Sequence, residues 1–353
     1  MAIDINKCIS TISYFFNKAK WKISDVRNSL RNHLLVSTQT KIEPEDIACF
    51  DESSISKQGD KFEFIGDTYA GAGKEIHNGY TILAVAAVSL KKKTKWIFDE
   101  IIYSNQDPKF RGKFIYVQRL LKRLFKLTKI ALVVFDAGFK NKYILNYVLN
   151  QGKNFIIRAL PEMVVWSKDK QKKQRFKDIK KMKGAEHFEF SVGGQKGWSI
   201  TFYQGLINAW MSEIKQELIV VIIRKPGFRK PMILITNLSI TSFNETLEVY
   251  QKYLNRWQIE ILFQEIKELG LKSFRLRRKV AILKYIMVVI LVYTLLTYQL
   301  AWVNTQFLWQ LILKKFLKVK RKITDLLLGG LKIFYELFFT KAITLKQLFN
   351  DQF

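Results

Sequence analysis

Apolar residues in the first half of the chain cluster in short runs that predict β-strands. Asp46–Asp51 is a short apolar run that ends in an acid, Thr81–Leu90 is nearly all apolar, and Lys95–Tyr103 is a third run of strand length. Runs of this length that are bounded by turn residues are typical of strands. The glycine-punctuated stretch Gly66–Gly79 predicts a loop between the first two strands.

The pattern then alternates between helix and strand. Phe114–Leu127 has the spacing of an amphipathic basic helix, Ile130–Phe135 is an apolar strand, and Lys140–Leu149 is again helical. Three strands followed by a helical crossover to a fourth predict an α/β fold, a mixed sheet flanked by helices. Asp51 ends the first strand and Asp136 follows the fourth, so the two acids meet at one edge of the sheet if these strands are neighbours.

A β-rich stretch follows between residues 154 and 237, with the runs NFIIRAL, EHFEFSV, WSITFYQ, ELIVVIIR and MILITN. Between the first two runs lies Lys168–Lys183, with nine basic and two acidic residues. Such a run is usually a solvated surface. In a chain with a formal charge of +29 it also predicts contact with DNA phosphates, with Lys172, Lys173 and Arg175 as candidate ligands.

The last third of the chain is helical, and its most informative part is Lys252–Gly270. At about 100° per residue, Tyr253, Arg256, Glu260 and Lys267 fall on one stripe about 60° wide, opposite an apolar face. This stripe holds one acid beside three groups that can bind phosphate. The plain alternative is a solvated helix face with an ordinary Arg256–Glu260 ion pair.

One apolar run, Tyr285–Val303, leaves two interpretations open. It carries no charge over 19 residues and follows RLRRK, which meets the length and flanking-charge rules for a transmembrane helix. The polar residues Thr294, Thr297 and Gln299 lie within it, and it comes directly after the striped helix. We therefore expect a buried core helix and no membrane partner.

Composition indicates a partner and a compartment. The 353 residues include 59 Lys and Arg against 30 Asp and Glu, and 48% are hydrophobic. The chain can thus form a sizeable core, and its surplus positive charge favours a polyanionic partner, either nucleic acid or an acidic membrane surface. Two cysteines cannot form a disulfide framework and the N-terminus lacks a signal-peptide pattern, so a reducing, cytoplasmic compartment is expected.

Several kinds of catalytic site lack support in the sequence. The histidines, His33, His77 and His187, show neither zinc-ligand spacing nor the context of a nucleophilic triad. The stretch Gly71–Glu75 lacks the first glycine of a phosphate-binding loop, and a glutamate replaces the Ser or Thr that would bind magnesium. No small-molecule cofactor is indicated.

Carboxylates beside basic residues remain as the candidate chemistry. Asp51, Asp136 and Glu260 supply hard oxygen ligands that suit Mg²⁺ or Mn²⁺. Two such ions can activate a water or a 3′-hydroxyl and stabilise the leaving oxygen in phosphodiester chemistry. Arg256 and Lys267 would neutralise phosphate charge, and Tyr253 could donate a hydrogen bond to a phosphate oxygen.

These motifs resemble a known family of enzymes. The residues of the polar stripe, separated by two, three and six positions, resemble the Tyr-Arg-Glu-Lys signature of the DDE transposases of bacterial insertion sequences, in the insertion-sequence-four (IS-four) group. The surrounding YLNRWQIEILFQEIKELGLKSFR and the preceding LITNL are also similar to that group. FDES at Asp51 and FDAGF at Asp136 resemble the motifs of its first and second catalytic aspartates. The resemblance covers roughly residues 45–305.

The resemblance implies an RNase H-like fold, with a β-rich insertion between the second aspartate and the glutamate. It implies metal-dependent nicking of double-stranded DNA at transposon ends, attack of the freed 3′-hydroxyl on target DNA, and a homodimer on paired ends in the bacterial cytoplasm, at the nucleoid. The expected segments are a helical N-terminal segment (1–41), the first part of the catalytic core (42–153), the insertion (154–238), the second part of the core (239–305) and a helical C-terminal region (306–353).

Two alternatives to a complete transposase stay open. One is a metal-dependent nuclease of the same fold that does not transfer strands. The other is an inactive, truncated copy that only binds DNA, because the 50 residues before Asp51 are fewer than the end-recognition region expected of the group.

Overall fold

The computed structural model describes residues 13–59, 61–70, 75–166, 173–207 and 217–302. The chain divides into two compact units. The first unit comprises residues 41–53 and 81–262, and the second comprises the described parts of residues 1–40, 54–80 and 263–353. The predicted C-terminal region 306–353 lies outside the described residues.

The described residues contain strands and helices in a mixed order. The strands are β1 (Ile47–Ser56), β2 (Gly66–Ala70), β3 (Glu75–Ser89), β4 (Thr94–Tyr103), β5 (Leu132–Phe135), β6 (Asn154–Arg158), β7 (Val164–Trp166), β8 (Lys173–Arg175), β9 (Glu186–Val192), β10 (Gln195–Ile207), β11 (Leu218–Arg224) and β12 (Met232–Thr236). The α-helices are α1 (Ile23–Val36), α2 (Lys113–Leu127), α3 (Lys142–Asn150), α4 (Phe243–Leu254), α5 (Trp257–Ile266) and α6 (Lys279–Trp302).

The first unit is built on a mixed sheet with the strand order β4-β3-β1-β5-β6-β12-β11-β10. β5 pairs in parallel with both β1 and β6, whereas the pairs β3–β4, β6–β12, β12–β11 and β11–β10 are antiparallel. β9 and β7 also pair with β10, and β8 pairs with β7. The predicted mixed α/β class is therefore confirmed.

The strands at the middle of this sheet are apolar and buried along most of their length. β5 is buried at every position, and so are the central residues of β6, β11 and β12. Continuous apolar runs suit such strands because both of their faces are covered. α2 packs against β4 and α3, and α3 packs against β6. The helix that the sequence pattern placed at Phe114–Leu127 thus closes part of the core.

The region between FDAGF, the motif at Asp136, and the striped helix is strand-rich, as predicted. Its five predicted runs form β6 and β9 to β12, and the short strands β7 and β8 lie between them. β6 is the parallel neighbour of β5, and the segment boundary at residues 153 and 154 stays a prediction. The basic run contains a 3₁₀ turn, Phe176–Lys181, whose Phe176 and Ile179 side chains are buried.

The loop predicted at Gly66–Gly79 is wrong in the structure. In the second unit, β2 and the start of β3 form an antiparallel pair, with Gly66 opposite Gly79 and Ala70 opposite Glu75. Strands can pair through their backbones without alternating apolar residues. Because Gly66 and Gly79 lie at the open end of this hairpin and glycine is uncommon in strands, the sequence pattern predicted a loop instead.

The second unit also contains the long apolar helix α6, which packs against α1. The Lys284 ammonium of α6 is buried and donates to the Ala19 carbonyl oxygen at 2.6 Å. By length and composition alone, the stretch Lys279–Thr297 could cross a membrane: its mean hydropathy is 2.3, and 61% of the apolar window is buried within the protein. A mostly buried core helix of a soluble protein meets the same criteria, so the expectation of a core helix stays a prediction.

Candidate active site

The acids Asp51 and Asp136 come together because β1 and β5 are parallel neighbours. The pairing runs from Ile47 opposite Leu132 to Phe50 opposite Phe135, so each aspartate follows directly after the last matched pair. The interpretation of Asp51 as the end of a strand is wrong, because β1 continues to Ser56. Asp51 is the first residue of β1 beyond the end of β5, and its side chain therefore lies at an open step of the sheet edge.

The single helix expected over Lys252–Gly270 is two helices. α4 ends at Leu254 and α5 begins at Trp257. At the junction, the Asn255 and Arg256 amides donate to carbonyl oxygens three residues back, at 3.2 and 2.9 Å. This tighter 3₁₀-type turn changes the direction of the side chains relative to a continuous α-helix.

The helix junction turns two of the striped residues inward. Tyr253 and Arg256 are buried in the first unit, although the helical spacing predicted that they would lie on an exposed polar face. Ile259 and Leu262 are buried as the apolar face required, while Glu260 stands in the first turn of α5 and is partly exposed. Of these striped residues, Tyr253 and Arg256 therefore lie in the protein interior, and Glu260 lies between interior and solvent.

Arg256 bridges two of the candidate metal ligands. Its Nη1 lies 3.3 Å from Asp51 Oδ2 and its Nη2 lies 2.5 Å from Glu260 Oε1. The Arg256 side chain is only 7% exposed, whereas those of Asp51 and Glu260 are 19% and 33% exposed. The Tyr253 hydroxyl donates to Asp136 Oδ1 over 3.5 Å, so the three acids gather around one arginine and one tyrosine.

The site carries more negative charge than its arginine can neutralise. Burial raises the pKa of Asp51 to about 6; the backbone amide of Glu52 and Arg256 oppose that rise, while Glu260 and Asp136 add to it. Burial works to lower the pKa of Arg256, but Tyr253, Asp51, Glu260 and Asp136 outweigh it and raise that pKa. Burial also raises the pKa of Tyr253 to about 12. A further cation would lower the free energy of the charged Asp51.

The donor set fits a hard divalent cation. Carboxylate oxygens at the end of a buried sheet are the ligands that Mg²⁺ and Mn²⁺ prefer. Burial is the main cause of the raised pKa of Asp51, and the neighbouring acids Glu260 and Asp136 add to it. The Arg256 Nε atom is buried and has no hydrogen-bond partner among the described residues. Within that part of the chain, no three acidic, histidine or cysteine side chains stand close enough to form a ready-made metal cage.

A second cluster beside the aspartates was missed in the sequence. Glu52 accepts hydrogen bonds from Lys113 Nζ and from the Tyr103 hydroxyl. The same Lys113 ammonium lies 4.1 Å from the centre of the Phe139 ring, in the short turn after Asp136. A lysine at the first position of a helix opposes the helix dipole, and that misfit was the available signal that Lys113 has a tertiary partner.

The remaining predicted phosphate-binding residues are Lys267 and three residues of the basic run. Lys267 belongs to the second unit, where it begins a π-helical turn, Lys267–Leu271. Lys172 lies outside the described residues, and of Lys173 the structure describes only the backbone, in β8. Arg175 Nη1 lies 3.5 Å from Glu162 Oε2 on an exposed surface.

Comparison with known proteins gives a family match. The chain matches the family described as the transposase DDE domain over residues 42–295. No curated protein matches the chain. A crystal structure of an endonuclease V from Bacillus subtilis is similar over 70% of this chain and 97% of its own length, at 14% identity and a TM-score of 0.28. At that TM-score the likeness carries no weight for fold or function.

Proposed function

The chain belongs to the family of transposase DDE domains, and we propose that it is a DNA transposase that nicks transposon ends by phosphodiester hydrolysis and joins the freed 3′-hydroxyl to target DNA by transesterification. The prediction of a transposase DDE domain is thereby confirmed. The assignment to the IS-four group, with Tyr253, Arg256, Glu260 and Lys267 as its signature, is part of the proposal.

The observation that carries the proposal is the convergence of three acids on one buried arginine. Asp51 and Asp136 lie side by side beyond the parallel pair β1–β5, and Arg256 joins Asp51 to Glu260 from the helix junction. Three acids around one arginine are arranged for an additional cation and for the phosphate that accompanies it.

The proposed roles follow from these positions. Asp51, Asp136 and Glu260 hold two Mg²⁺ or Mn²⁺ ions, which would supply an activated oxygen nucleophile and stabilise the leaving oxygen. Arg256 donates two hydrogen bonds from its planar guanidinium to a phosphate of the DNA strand. Tyr253 orients Asp136 through its hydroxyl, and Lys267 supplies a second positive charge to phosphate.

The strand order supports an RNase H-like core within the proposal. The five strands β4-β3-β1-β5-β6 combine an antiparallel pair, β3–β4, with three parallel strands. Asp51 and Asp136 each lie just past the last matched residues of the parallel pair β1–β5. We place the second part of the core at residues 239–305, the β-rich insertion at 154–238, and α6 as a core helix rather than a membrane span.

The proposed partners are double-stranded DNA and a second copy of the chain. The formal charge of +29 suits phosphate binding, and Lys172, Lys173 and Arg175 are proposed to contact the DNA backbone. A homodimer on paired transposon ends in the bacterial cytoplasm, associated with the nucleoid, completes the proposal.

The test of the proposed site is Glu260→Gln, assayed on DNA that carries both flanks of the gene. We expect the variant to retain DNA affinity and to lose Mg²⁺-dependent cleavage by about 10³-fold or more, because loss of a metal ligand removes several kcal/mol of transition-state stabilisation. Unchanged cleavage would falsify the assignment of Glu260.

The nuclease and the truncated copy give different outcomes in a transposition assay. Nicked ends together with joined product support the transposase. Nicked ends without joined product identify a nuclease, and DNA binding without nicking identifies an inactive copy. Inverted repeats bracketed by short direct repeats around the gene would support the transposase independently of any activity.

A further inference from the structure

Arg256 lies where the proposed metal ions would bind. Its two terminal nitrogens contact Asp51 Oδ2 and Glu260 Oε1 at 3.3 and 2.5 Å. These are carboxylate oxygens that the proposed function assigns to divalent ions. A guanidinium and a divalent ion cannot share the same oxygens closely, because their positive charges repel each other.

The buried position of Arg256 leaves its own hydrogen bonding incomplete. Arginine has five N–H donors in a planar fork, and the Nε donor of Arg256 is buried without a partner among the described residues. A phosphate offers several acceptor oxygens and pairs with the fork bidentately. Phosphate could therefore accept from Nε and a terminal nitrogen together, whereas the two acids, held on β1 and α5, contact only the terminal nitrogens.

The helix junction gives Arg256 a place from which it can change partners. The residue follows the end of α4 and precedes the first residue of α5, and its amide is bonded back to the Tyr253 carbonyl at 2.9 Å. The backbone is thus fixed while the side chain projects from between two helices. Rotation about its side-chain bonds would move the guanidinium without breaking either helix.

We propose that Arg256 competes with the divalent ions for Asp51 and Glu260, and that a DNA phosphate draws it away, so that metal binding and DNA binding reinforce each other. In the absence of DNA the arginine acts as an internal counter-ion that weakens metal binding. This inference rests on the proposed function, since it takes the three acids as metal ligands.

The competition is tested by measuring Mn²⁺ binding with electron paramagnetic resonance in the absence of DNA. Arg256→Gln should bind Mn²⁺ about 10-fold or more tightly than the wild type, within the range of typical coupling between sites. Arg119→Gln serves as the matched control, since it removes the same charge from the exposed side of α2 and should leave Mn²⁺ affinity unchanged. Equal Mn²⁺ affinities of the wild type and Arg256→Gln would overturn the inference.

A saturating short DNA duplex of arbitrary sequence tests the release of Arg256. It should tighten Mn²⁺ binding by the wild type more than by Arg256→Gln, because the variant has no arginine to release. By linkage, Mn²⁺ should tighten duplex binding by the wild type by the same factor. An equal effect of DNA on both proteins would overturn the release of Arg256 by phosphate.

Two further variants keep the outcomes distinct. Arg256→Lys retains the positive charge, but an ammonium cannot contact both acids as the planar guanidinium does. It should therefore tighten Mn²⁺ binding less than Arg256→Gln does, and it provides a test if Arg256→Gln fails to fold. A folded Arg256→Lys variant with wild-type Mn²⁺ affinity would contradict the competition. Asp51→Asn should lose the Mn²⁺ site. If Asp51→Asn binds Mn²⁺ as the wild type does, the proposed metal site itself is wrong, and the inference falls with it.

Discussion

Two aspartates of the first unit make the same backbone hydrogen bond but differ in how they and their arginine partners are buried. Asp99 Oδ1 accepts from the Glu100 amide at 3.0 Å while Oδ2 contacts Arg123, and Asp51 Oδ1 accepts from the Glu52 amide at 2.8 Å while Oδ2 faces Arg256. At Asp99 the acid is fully buried and the arginine is 41% exposed. At Asp51 the arginine is buried and the acids reach solvent.

The difference separates a closed ion pair from an open one. At Asp99 the guanidinium lies between the acid and solvent, so no ligand can reach that carboxylate directly. At Asp51 the guanidinium is buried and is shared with Glu260, while both carboxylates reach solvent, so a cation can approach the acids and compete with the arginine for them. The direction of burial, rather than the presence of an arginine–carboxylate pair, distinguishes a candidate active site from a structural contact here.

The largest expected effect compares the same chemical change at the two sites. Asp136→Asn should lower Mg²⁺-dependent DNA cleavage by about 10³-fold, because it removes a proposed metal ligand worth several kcal/mol. Asp99→Asn should keep near wild-type cleavage per folded molecule. Cleavage rates normalised to the folded fraction check this, and equal losses in both variants would contradict the distinction.

The next effect concerns stability at the closed pair. Arg123→Gln leaves the fully buried Asp99 carboxylate without its guanidinium, and we expect the free energy of unfolding to fall by about 3 kcal/mol. Arg119→Gln on the same helix should change it by less than about 0.5 kcal/mol, as exposed substitutions usually do. Urea unfolding measures both, and a similar small change in the two variants would show that Arg123 is not needed to neutralise Asp99.

A smaller effect, of opposite sign, is expected at the open pair without metal. The pKa of Asp51 is raised to about 6, so the folded protein binds more protons than the unfolded chain between about pH 4 and pH 6, and wild-type stability falls as the pH rises through that window. Asp51→Asn has no carboxyl group to titrate, so it lacks this pH-dependent loss of stability. Its stability relative to the wild type should rise by about 2 kcal/mol from pH 4 to pH 7 in the presence of a chelator; parallel stability curves would contradict a strained Asp51.

The smallest effect sharpens the comparison at the neighbouring glutamate. Lys113→Met removes the ammonium that joins Glu52 to the turn containing Phe139, and we expect cleavage to fall about 10-fold through a small displacement of the aspartates. Lys113→Arg should restore most of the rate. Loss of rate in both variants with unchanged Mn²⁺ affinity would indicate a different role for Lys113, such as contact with DNA.

The sequence motifs predicted the family and singled out three acids that the structure brings together, but they did not predict how the candidate site is arranged. FDES, FDAGF and the spacing from Tyr253 to Lys267 depend only on residue identity and order, so they could be read directly. The inward position of Arg256 could not be predicted, because it follows from a break in the helix at Asn255 and Arg256. Asn255 was the only local signal for that break, and asparagine also occurs within helices. Lys113 and Glu52 are 61 positions apart in the chain, and no local pattern connects them.

Local sequence determined most of the strands, the family and the set of chemically capable residues, because apolar periodicity and short motifs are properties of neighbouring positions. Only the tertiary structure decided that β1 lies beside β5, that α4 and α5 meet at Arg256, and that one arginine is buried between two partly exposed acids while another, partly exposed, pairs with the buried Asp99. These outcomes depend on which segments, far apart in the sequence, pack against each other and exclude water from the contact. Burial, and with it the pKa of Asp51 and the accessibility of the site, is set by those contacts rather than by any residue alone.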